Sequence, residues 1–360
     1  MSPGSVGVLL YTGPMARRAG PALAWHTARA LRALGHRAAL VAGPGPLLPT
    51  AAAGVPVYAA PFTYRPVLDF FVNRDLAAGL APEGFEVVHV QGLPFARSGS
   101  RLAARLGVPW VLSVTEVPPA RSRLPLADPR LRALIAVTQE IREELVNAHR
   151  VPRDRIRVVG PGVDLRWFAP VPAFARLDSR VPVCGLVSHL DAHAGVEVLI
   201  DAAALVLAQG PDVHFLVVGD GPDARRLRRL AWQRGVANRV SFVPPETDYR
   251  LLLRGFDLCV SPKTDAGLRL SVLEAMASAR PVVVAATGAV YAMVRENETG
   301  LVVTPGSAPH LAKAIGALIR DPARARALGD AGRAWVVEHF NLAERATELV
   351  DVYRRAIAGS

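Results

Sequence analysis

Short apolar runs alternate with longer segments of helical periodicity along the whole chain. This alternation is typical of parallel sheets that are covered by helices on both faces. The predicted strands of the first half lie near Val6–Tyr11, Ala38–Val41, Val55–Tyr58, Val87–Val90, Trp110–Val114, Leu134–Val137 and Ile156–Val159. Those of the second half lie near Val183–Val187, Val213–Val218, Val240–Phe242, Leu258–Val260, Val282–Val284 and Leu301–Val303. The pattern therefore predicts an α/β protein with two doubly wound, Rossmann-like units.

With 360 residues, the chain is long enough for two such units and a connection between them. The segment Phe168–Phe174 has two prolines in three positions and no periodicity, which favours a linker. We predict a first domain at residues 1–168, a linker at 169–181, a second domain at 182–340 and a final helix at 341–360. This helix has apolar residues at helical spacing after a complete second unit, so it must pack on another surface.

Hydrophobic residues make up 51% of the chain, but no apolar run approaches the ~20 residues of a membrane-spanning helix. The apolar start Val6–Tyr11 resembles a first strand more than a signal peptide, because no basic stretch precedes it. Cys184 and Cys259 lie in apolar segments, as buried thiols do. These features predict a cytoplasmic protein.

The net charge is +11, and the excess is unevenly distributed. Residues 1–170 hold 20 basic and 11 acidic side chains, whereas residues 171–360 hold 22 and 20. A basic first half would attract an anionic membrane surface, an acidic acceptor or another polyanion. An arginine-rich composition explains the charge equally well, since Lys263 and Lys313 are the only lysines. Nucleic-acid binding is the least favoured reading, because no aromatic platform or known motif accompanies the charge.

The second half contains six motifs: Leu190–Gly195 with Val196–Ala203, Val217–Pro222, Phe256–Pro262, Leu273–Ala277, Arg280–Val284 and Glu298–Val303. In their order and spacing along the chain, these motifs resemble the donor-binding domain of the family-4 glycosyltransferases. The first half is more loosely similar, through Leu34–His36, Val87–Val90 and Gly162–Asp164. The resemblance implies a GT-B fold, in which two domains face each other across a cleft and the last helix crosses back to the first domain.

The resemblance also implies a reaction, which is sugar transfer with retention of configuration from a nucleoside-diphosphate sugar. Apart from this co-substrate, the reaction needs no cofactor. The family is independent of metal ions, which agrees with the absence of any Asp-x-Asp sequence. The acceptor would be a glycan, a lipid-linked sugar or a small molecule. The first domain would present it, in the cytoplasm or in peripheral contact with the inner face of the membrane.

The donor site is predicted at the carboxyl ends of the second set of strands, where α/β sheets bind ligands. The segment before the helix of Glu274 offers free N–H groups that suit phosphates, and in the family the counterpart of Glu274 holds the donor ribose. The predicted donor-binding residues are Glu274, Gly267, Leu268, Arg269, Leu270, Lys263, His189, His193, Gly219 and Gly221. For the two glycines of Gly219-Asp-Gly221, a tight turn is the better explanation.

The sequence departs from the family at several positions that carry charge. The arginine and lysine that neutralise the leaving diphosphate correspond to His189 and Ala194, and the first of two paired glutamates corresponds to Ala266. The histidine expected after the fifth strand is Thr115. The candidate catalytic residues are therefore Asp265, Thr115 and Glu116.

Two hypotheses follow from these departures. In the favoured one the protein is an active transferase with relocated cations, drawn from Lys263, Arg269, His189, His193, Arg17 and Arg18. In the other it is an inactive relative that serves as a partner or scaffold for another transferase, and these arginines lie on the surface of an arginine-rich chain. A polyanion-binding protein on the same fold ranks third.

Overall fold

A computed structural model describes residues 4–14, 19–43, 54–60, 66–119, 121–169, 181–244, 249–264, 268–288 and 290–359. The chain divides into two compact units by its internal contacts. The first comprises Met1–Asp164 with Asn341–Ser360, and the second comprises Leu165–Phe340. Within the described residues, no helix combines the length and the apolar character of a membrane span.

The first unit is built on a seven-stranded parallel sheet in the order β3-β2-β1-β4-β5-β6-β7. Its strands are β1 (Gly7–Pro14), β2 (Arg37–Gly43), β3 (Val57–Ala59), β4 (Val87–Gln91), β5 (Trp110–Val114), β6 (Leu131–Ala136) and β7 (Ile156–Val158). Its first four helices are α1 (Ala19–Ala33), α2 (Pro66–Leu80), α3 (Ala96–Leu106) and α4 (Gln139–Asn147). Gly35 follows α1 with a φ of 83°, the left-handed conformation that glycine adopts most easily after a helix.

The second unit has a six-stranded parallel sheet in the order β10-β9-β8-β11-β12-β13. Its strands are β8 (Val183–Val187), β9 (His214–Val218), β10 (Val240–Val243), β11 (Leu258–Ser261), β12 (Val282–Ala285) and β13 (Leu301–Val303). Its helices are α5 (Val196–Ala208), α6 (Ala224–Gln233), α7 (Tyr249–Gly255), α8 (Leu270–Ala277), α9 (Val290–Met293), α10 (Ala308–Arg320) and α11 (Pro322–His339). Both units therefore have the predicted doubly wound fold.

The last helix, α12 (Leu342–Ala358), belongs to the first unit. The Leu342 N–H donates to the carbonyl of Val163 at 3.1 Å, and Asn341 caps the helix by accepting from the Ala343 N–H. A side chain at Gly162 would lie 2.6 Å from the Leu342 Cα, so the two backbones touch. The predicted return of the final helix to the first domain is confirmed.

Residues 165–168 have their contacts in the second unit, whereas the sequence assigned them to the first domain. Asp164 is tied to the first unit by an ion pair with Arg29 at 3.2 Å. Trp167 and Phe168 instead line a cavity with Leu253 and other residues of the second unit. Most of the predicted linker lies outside the described residues.

Cys184 and Cys259 are both free and buried, as their apolar surroundings predicted. They stand on the neighbouring strands β8 and β11 of the second sheet. Burial raises the pKa of both thiols, that of Cys259 to about 12. The two residues therefore serve as apolar core positions.

Candidate functional site

The winding of the second sheet reverses between β8 and β11. From β8 the chain moves outward to β9 and β10, and from β11 it moves outward on the other side to β12 and β13. The chain therefore continues from β8 and from β11 to opposite sides of the sheet, and open α/β sheets bind ligands beside the carboxyl ends of the strands at such a point. The two loops at this switch point are residues 188–195 and 262–269, and residues 265–267 of the second loop lie outside the described residues.

These two loops pack directly on each other. Gly195, at the N-cap of α5, has a φ of 70°, and a Cβ at this position would lie 2.1 Å from the carbonyl oxygen of Pro262. The Thr264 N–H donates to the carbonyl of His193 at 3.1 Å. Only glycine allows both the left-handed backbone and this close approach. The spacing of the two loops is thus set by backbone contacts.

Gly219 and Gly221 hold the turn after β9 against the loop after β8. A Cβ on Gly219 would lie 1.8 Å from the Ser188 carbonyl oxygen, and one on Gly221 would lie 2.3 Å from that of Leu190. The Leu190 N–H donates to the Asp220 carbonyl at 3.0 Å. These contacts favour the turn interpretation, since both glycines are needed for packing within the unit.

Arg269 is buried at the start of α8, where 2% of the residue is exposed. Its Nη2 donates to the Lys263 carbonyl at 3.1 Å and to the hydroxyl of Thr287. The side chain therefore joins the loop after β11 to the loop after β12. The interpretation of Arg269 as a surface arginine is wrong. Thr287 was missed, because nothing in its sequence surroundings distinguishes it from an ordinary strand-end threonine.

The other predicted residues at the start of α8 are also buried. Leu268 and Leu270 are 8% and 4% exposed and anchor the helix start in the core. Glu274 is 4% exposed, and its carbonyl accepts from the N–H and the hydroxyl of Ser278. Of the aspartate, glutamate, lysine and arginine residues in the described part of the chain, three are buried: Arg269, Glu274 and Arg280. Two of these three thus stand on one short stretch beside the switch point.

The predicted residues of the loop after β8 differ in exposure. His189 is half-buried, and its Nδ1 atom is buried without a hydrogen-bond partner in the described part of the chain. His193 is exposed, and its N–H donates to the carboxylate of Asp191 at 3.0 Å. Lys263, in the facing loop, is half-buried. The two loops thus bring His189, His193 and Lys263 to one edge of the sheet.

The catalytic candidates are distributed differently. Thr115 is half-buried and Glu116 is exposed, both directly after β5 in the first unit. Asp265 and Gly267 lie outside the described residues, as do Ala266, Arg17 and Arg18. The described part of the second unit therefore brings together only donor-binding candidates. No group of three or more potential metal ligands occurs among the residues searched, which are the described ones.

Two family models match the chain. The model described as Glycosyltransferase Family 4 matches residues 22–167, and the one described as Glycosyl transferases group 1 matches residues 181–321. Over both of its halves, the chain is thus similar to the family-4 type of GT-B glycosyltransferases. The second match includes the switch-point loops, Arg269 and Glu274.

Curated relatives of this chain carry the name D-inositol 3-phosphate glycosyltransferase. The protein from Rhodococcus opacus is 33% identical over 285 residues, which cover 74% of this chain and 63% of the relative. That from Nocardia farcinica is 34% identical over 239 residues, covering 62% and 52%. The chain therefore spans between about half and two thirds of the length of these relatives.

Solved structures with the GT-B fold share the fold of this chain. Anabaena HepE in complex with UDP and glucose has a TM-score of 0.78 at 19% identity, and the match covers 97% of this chain and 99% of that protein. A glycosyltransferase from Rickettsia africae has a TM-score of 0.77 at 19% identity, and the match covers 99% and 100%.

The structure shows the surroundings of one residue at which the sequence departs from the family pattern. Ala194, at the family's lysine position, is fully buried in the hydrophobic core of the second unit. A lysine at this position would have to extend its ammonium group out of the core. The cationic group nearest in sequence to α8 is instead Arg269, which is itself buried.

Proposed function

We propose that this chain transfers a sugar from a nucleoside-diphosphate sugar to an acceptor, with retention of configuration. The nucleotide sugar is the co-substrate, and the reaction uses no further cofactor. The observation that carries the proposal is the burial of Arg269 and Glu274 together at the start of α8, beside the switch point of the second sheet. The names of the relatives support the same class of reaction.

The diphosphate would lie against the start of α8. Breaking the glycosidic bond leaves negative charge on the diphosphate, so fixed positive groups there stabilise the transition state. The N-terminus of α8 supplies backbone N–H groups and a positive potential. Arg269 adds a full charge whose position is held by the Lys263 carbonyl and by Thr287. Lys263, His189 and His193 are the other relocated cations among the described residues, and Arg17 and Arg18 lie outside them.

The donor ribose would bind Glu274. A carboxylate has only acceptor sites, which suits it to the two hydroxyls of a ribose ring. Its burial strengthens such hydrogen bonds, because the surroundings have a low dielectric constant. Glu274 thus orients the nucleoside while the start of α8 holds the phosphates.

The remaining roles rest on position alone. Asp265 follows the loop of Lys263 and would contact the transferred sugar. Thr115 and Glu116 follow β5 in the first unit and would face the acceptor. The acceptor is a glycan, a lipid-linked sugar or a small molecule, and D-inositol 3-phosphate is the first to test, since the relatives carry its name.

Binding and turnover should be measured separately with UDP, UDP-glucose and a panel of other sugar nucleotides. We expect saturable binding and sugar release or transfer. Arg269→Gln should weaken nucleotide binding, whereas Arg280→Gln, the matched change of a buried arginine of the same unit, should not. If the two variants bind nucleotide equally, the assignment of Arg269 is wrong.

An inactive relative is the second candidate. The buried Ala194 favours it, because the side chain at this position has no charge that could stabilise the leaving diphosphate. Nucleotide binding without any turnover, over the whole panel and with each class of acceptor, would establish this candidate. The protein would then form a complex with an active transferase, which co-purification would detect.

A further inference from the structure

Helix α6 has two chemically different faces. Its inward face consists of the buried residues Ala224, Leu227 and Ala231. Its outward face presents Arg225, Arg228, Arg229 and Trp232, and all four are exposed. These four positions follow the i, i+3, i+4, i+7 spacing of a single helical stripe. We call them the α6 stripe.

Trp232 is the most exposed large apolar side chain among the described residues, at 74%. An indole on a water-exposed helix face loses the free energy of burial that normally places tryptophan in a core or an interface. Trp232 follows the three arginines, at the C-terminal end of the stripe. The guanidinium group of Arg228 lies over the ring of Phe242, with its central carbon 5.3 Å from the ring centre.

The arginines of the stripe differ from those beside it. Arg226 pairs with Glu197 and Asp223, and Arg234 pairs with Asp201 at 2.6 Å. Within the described residues, no ion pair involves Arg225, Arg228 or Arg229. The flanking cations are thus neutralised by their neighbours, whereas the outward cations keep their charge for a partner outside this unit.

We propose that the α6 stripe is a contact site for the surface of an anionic lipid bilayer. Guanidinium groups on long stems reach lipid phosphates, and an indole prefers the boundary between headgroups and acyl chains. A protein interface would need a larger apolar centre than one side chain. Single-stranded nucleic acid would need a series of stacking aromatics. The combination of three cations with one interfacial aromatic side chain matches a membrane surface.

This site differs from the membrane contact that the charge of the first half predicts. The stripe lies in the second unit, which has the smaller charge excess, and it does not involve the donor-binding residues. The proposal therefore stands independently of sugar transfer. It places the second unit, and with it the candidate donor site, at a membrane surface.

Vesicle sedimentation tests the proposal with the full-length protein. Vesicles of phosphatidylcholine alone are compared with vesicles that also contain phosphatidylglycerol, at low and at high salt. Each arginine near an anionic surface contributes about five-fold to the partition coefficient, so Arg225→Gln, Arg228→Gln and Arg229→Gln together should lower it roughly a hundred-fold. Trp232→Gln should lower it further and abolish binding that survives high salt.

The matched control replaces Arg97, Arg101 and Arg105 of α3 by glutamine, which removes the same charge from a helix of the first unit. Circular dichroism and the melting temperature show whether each variant is folded, because the two helices lie in different units. The proposal holds if the α6 variant loses vesicle binding and the α3 variant keeps it. It is overturned if the α6 variant binds like the unmodified protein, if only the α3 variant loses binding, or if neither vesicle type binds the unmodified protein.

Discussion

Arg269 and Glu274 each place a full charge where 2% and 4% of the residue is exposed. Removing an ion from water is costly, so buried charged groups are retained where hydrogen bonds or a ligand compensate them. The Lys263 carbonyl and the Thr287 hydroxyl are among the partners of Arg269. In the proposed function, the anionic diphosphate is a further partner of its guanidinium charge.

Glu274→Gln should weaken UDP binding about 10- to 100-fold, because hydrogen bonds to a charged acceptor contribute about 1.5–3 kcal/mol. The side chain keeps its size, so the melting temperature should change little. Calorimetric titration measures the affinity. Glu298→Gln, on a largely exposed side chain of the same unit, serves as the control and should bind UDP normally. An unchanged dissociation constant in Glu274→Gln would remove this residue from the donor site.

Gly195→Ala should disturb the site without altering any charge. The left-handed backbone costs alanine about 1–2 kcal/mol. Gly235→Ala is the matched control, because its φ of 72° is close to the 70° of Gly195 but nothing lies within 4 Å of its Cβ position. Overpacking against Pro262 should cost Gly195→Ala about 1–3 kcal/mol more. Urea unfolding measures the stability, and titration with UDP measures the affinity. Only Gly195→Ala should lose affinity for UDP. If both variants lost stability and UDP affinity equally, the contact between Gly195 and Pro262 would have no role in shaping the site.

At the scale of elements, α12 joins the first sheet through a buried polar network. The Tyr353 hydroxyl and the Nδ1 of His89 are 2.7 Å apart, and the Nε2 of His89 is 2.7 Å from the hydroxyl of Ser113. All three residues are buried. A neutral imidazole can donate from one nitrogen and accept at the other, so it satisfies both hydroxyls. Burial lowers the pKa of His89 to about 3 and raises that of the Tyr353 hydroxyl.

This network should make the stability of the first unit depend on pH. His89 is neutral in the folded protein, whereas in the unfolded chain it titrates near its ordinary pKa of 6.5. The unfolded state therefore binds more protons below pH 6.5, and the free energy of unfolding falls by about 1.4 kcal/mol per pH unit as the pH drops toward 3. Above pH 6.5 the contribution is fully present.

Urea unfolding of the native protein and of His89→Gln at about pH 7 and about pH 5 isolates this effect, because most carboxylates titrate lower and equally in both proteins. The native protein should lose roughly 2 kcal/mol more than the variant over this range. At the higher pH the variant should be the less stable of the two, since Tyr353 and Ser113 lose their shared partner. Parallel pH profiles would show that His89 is protonated in the folded state.

At the scale of the whole molecule, the first unit consists of two segments that are distant in sequence. The second segment contributes α12, whose large buried side chains are Leu342, Leu349, Val350, Val352 and Tyr353. Burying five such side chains at about 2 kcal/mol each contributes roughly 10 kcal/mol. This is similar to the whole net stability of an ordinary domain. The first unit should therefore depend on the last twenty residues.

Truncation after Phe340 should unfold the first unit and leave the second, which is continuous in sequence, able to bind UDP. Limited proteolysis should then degrade residues of the first unit and yield a resistant fragment that begins near Leu165. The control lacks only Gly359 and Ser360, which follow α12, and should behave like the full chain. Survival of the first unit in the truncated protein would show that α12 is a peripheral attachment.

The alternation of apolar runs and helical segments was sufficient to predict both sheets, since parallel strands that are buried on both faces are almost uniformly apolar. The apolar stripe after a complete unit also predicted that α12 packs on another surface, and the family resemblance implied that this surface belongs to the first domain. The family relationship could be read from motifs such as Leu273–Ala277. Each of these features depends on residue type and local spacing alone.

Other features depended on which residues the fold brings together. The sequence distinguishes neither a buried Arg269 from a surface arginine nor Thr287 from any other strand-end threonine. It marked Gly195 only as part of a motif, whereas the structure places its Cα against the Pro262 peptide. Such contacts arise between segments that are far apart in sequence, where the reversal of strand order at β8 and β11 makes them neighbours. Local pattern thus determined the elements and the family, and the packing of distant loops decided the burial, the partners and the candidate roles of the site residues.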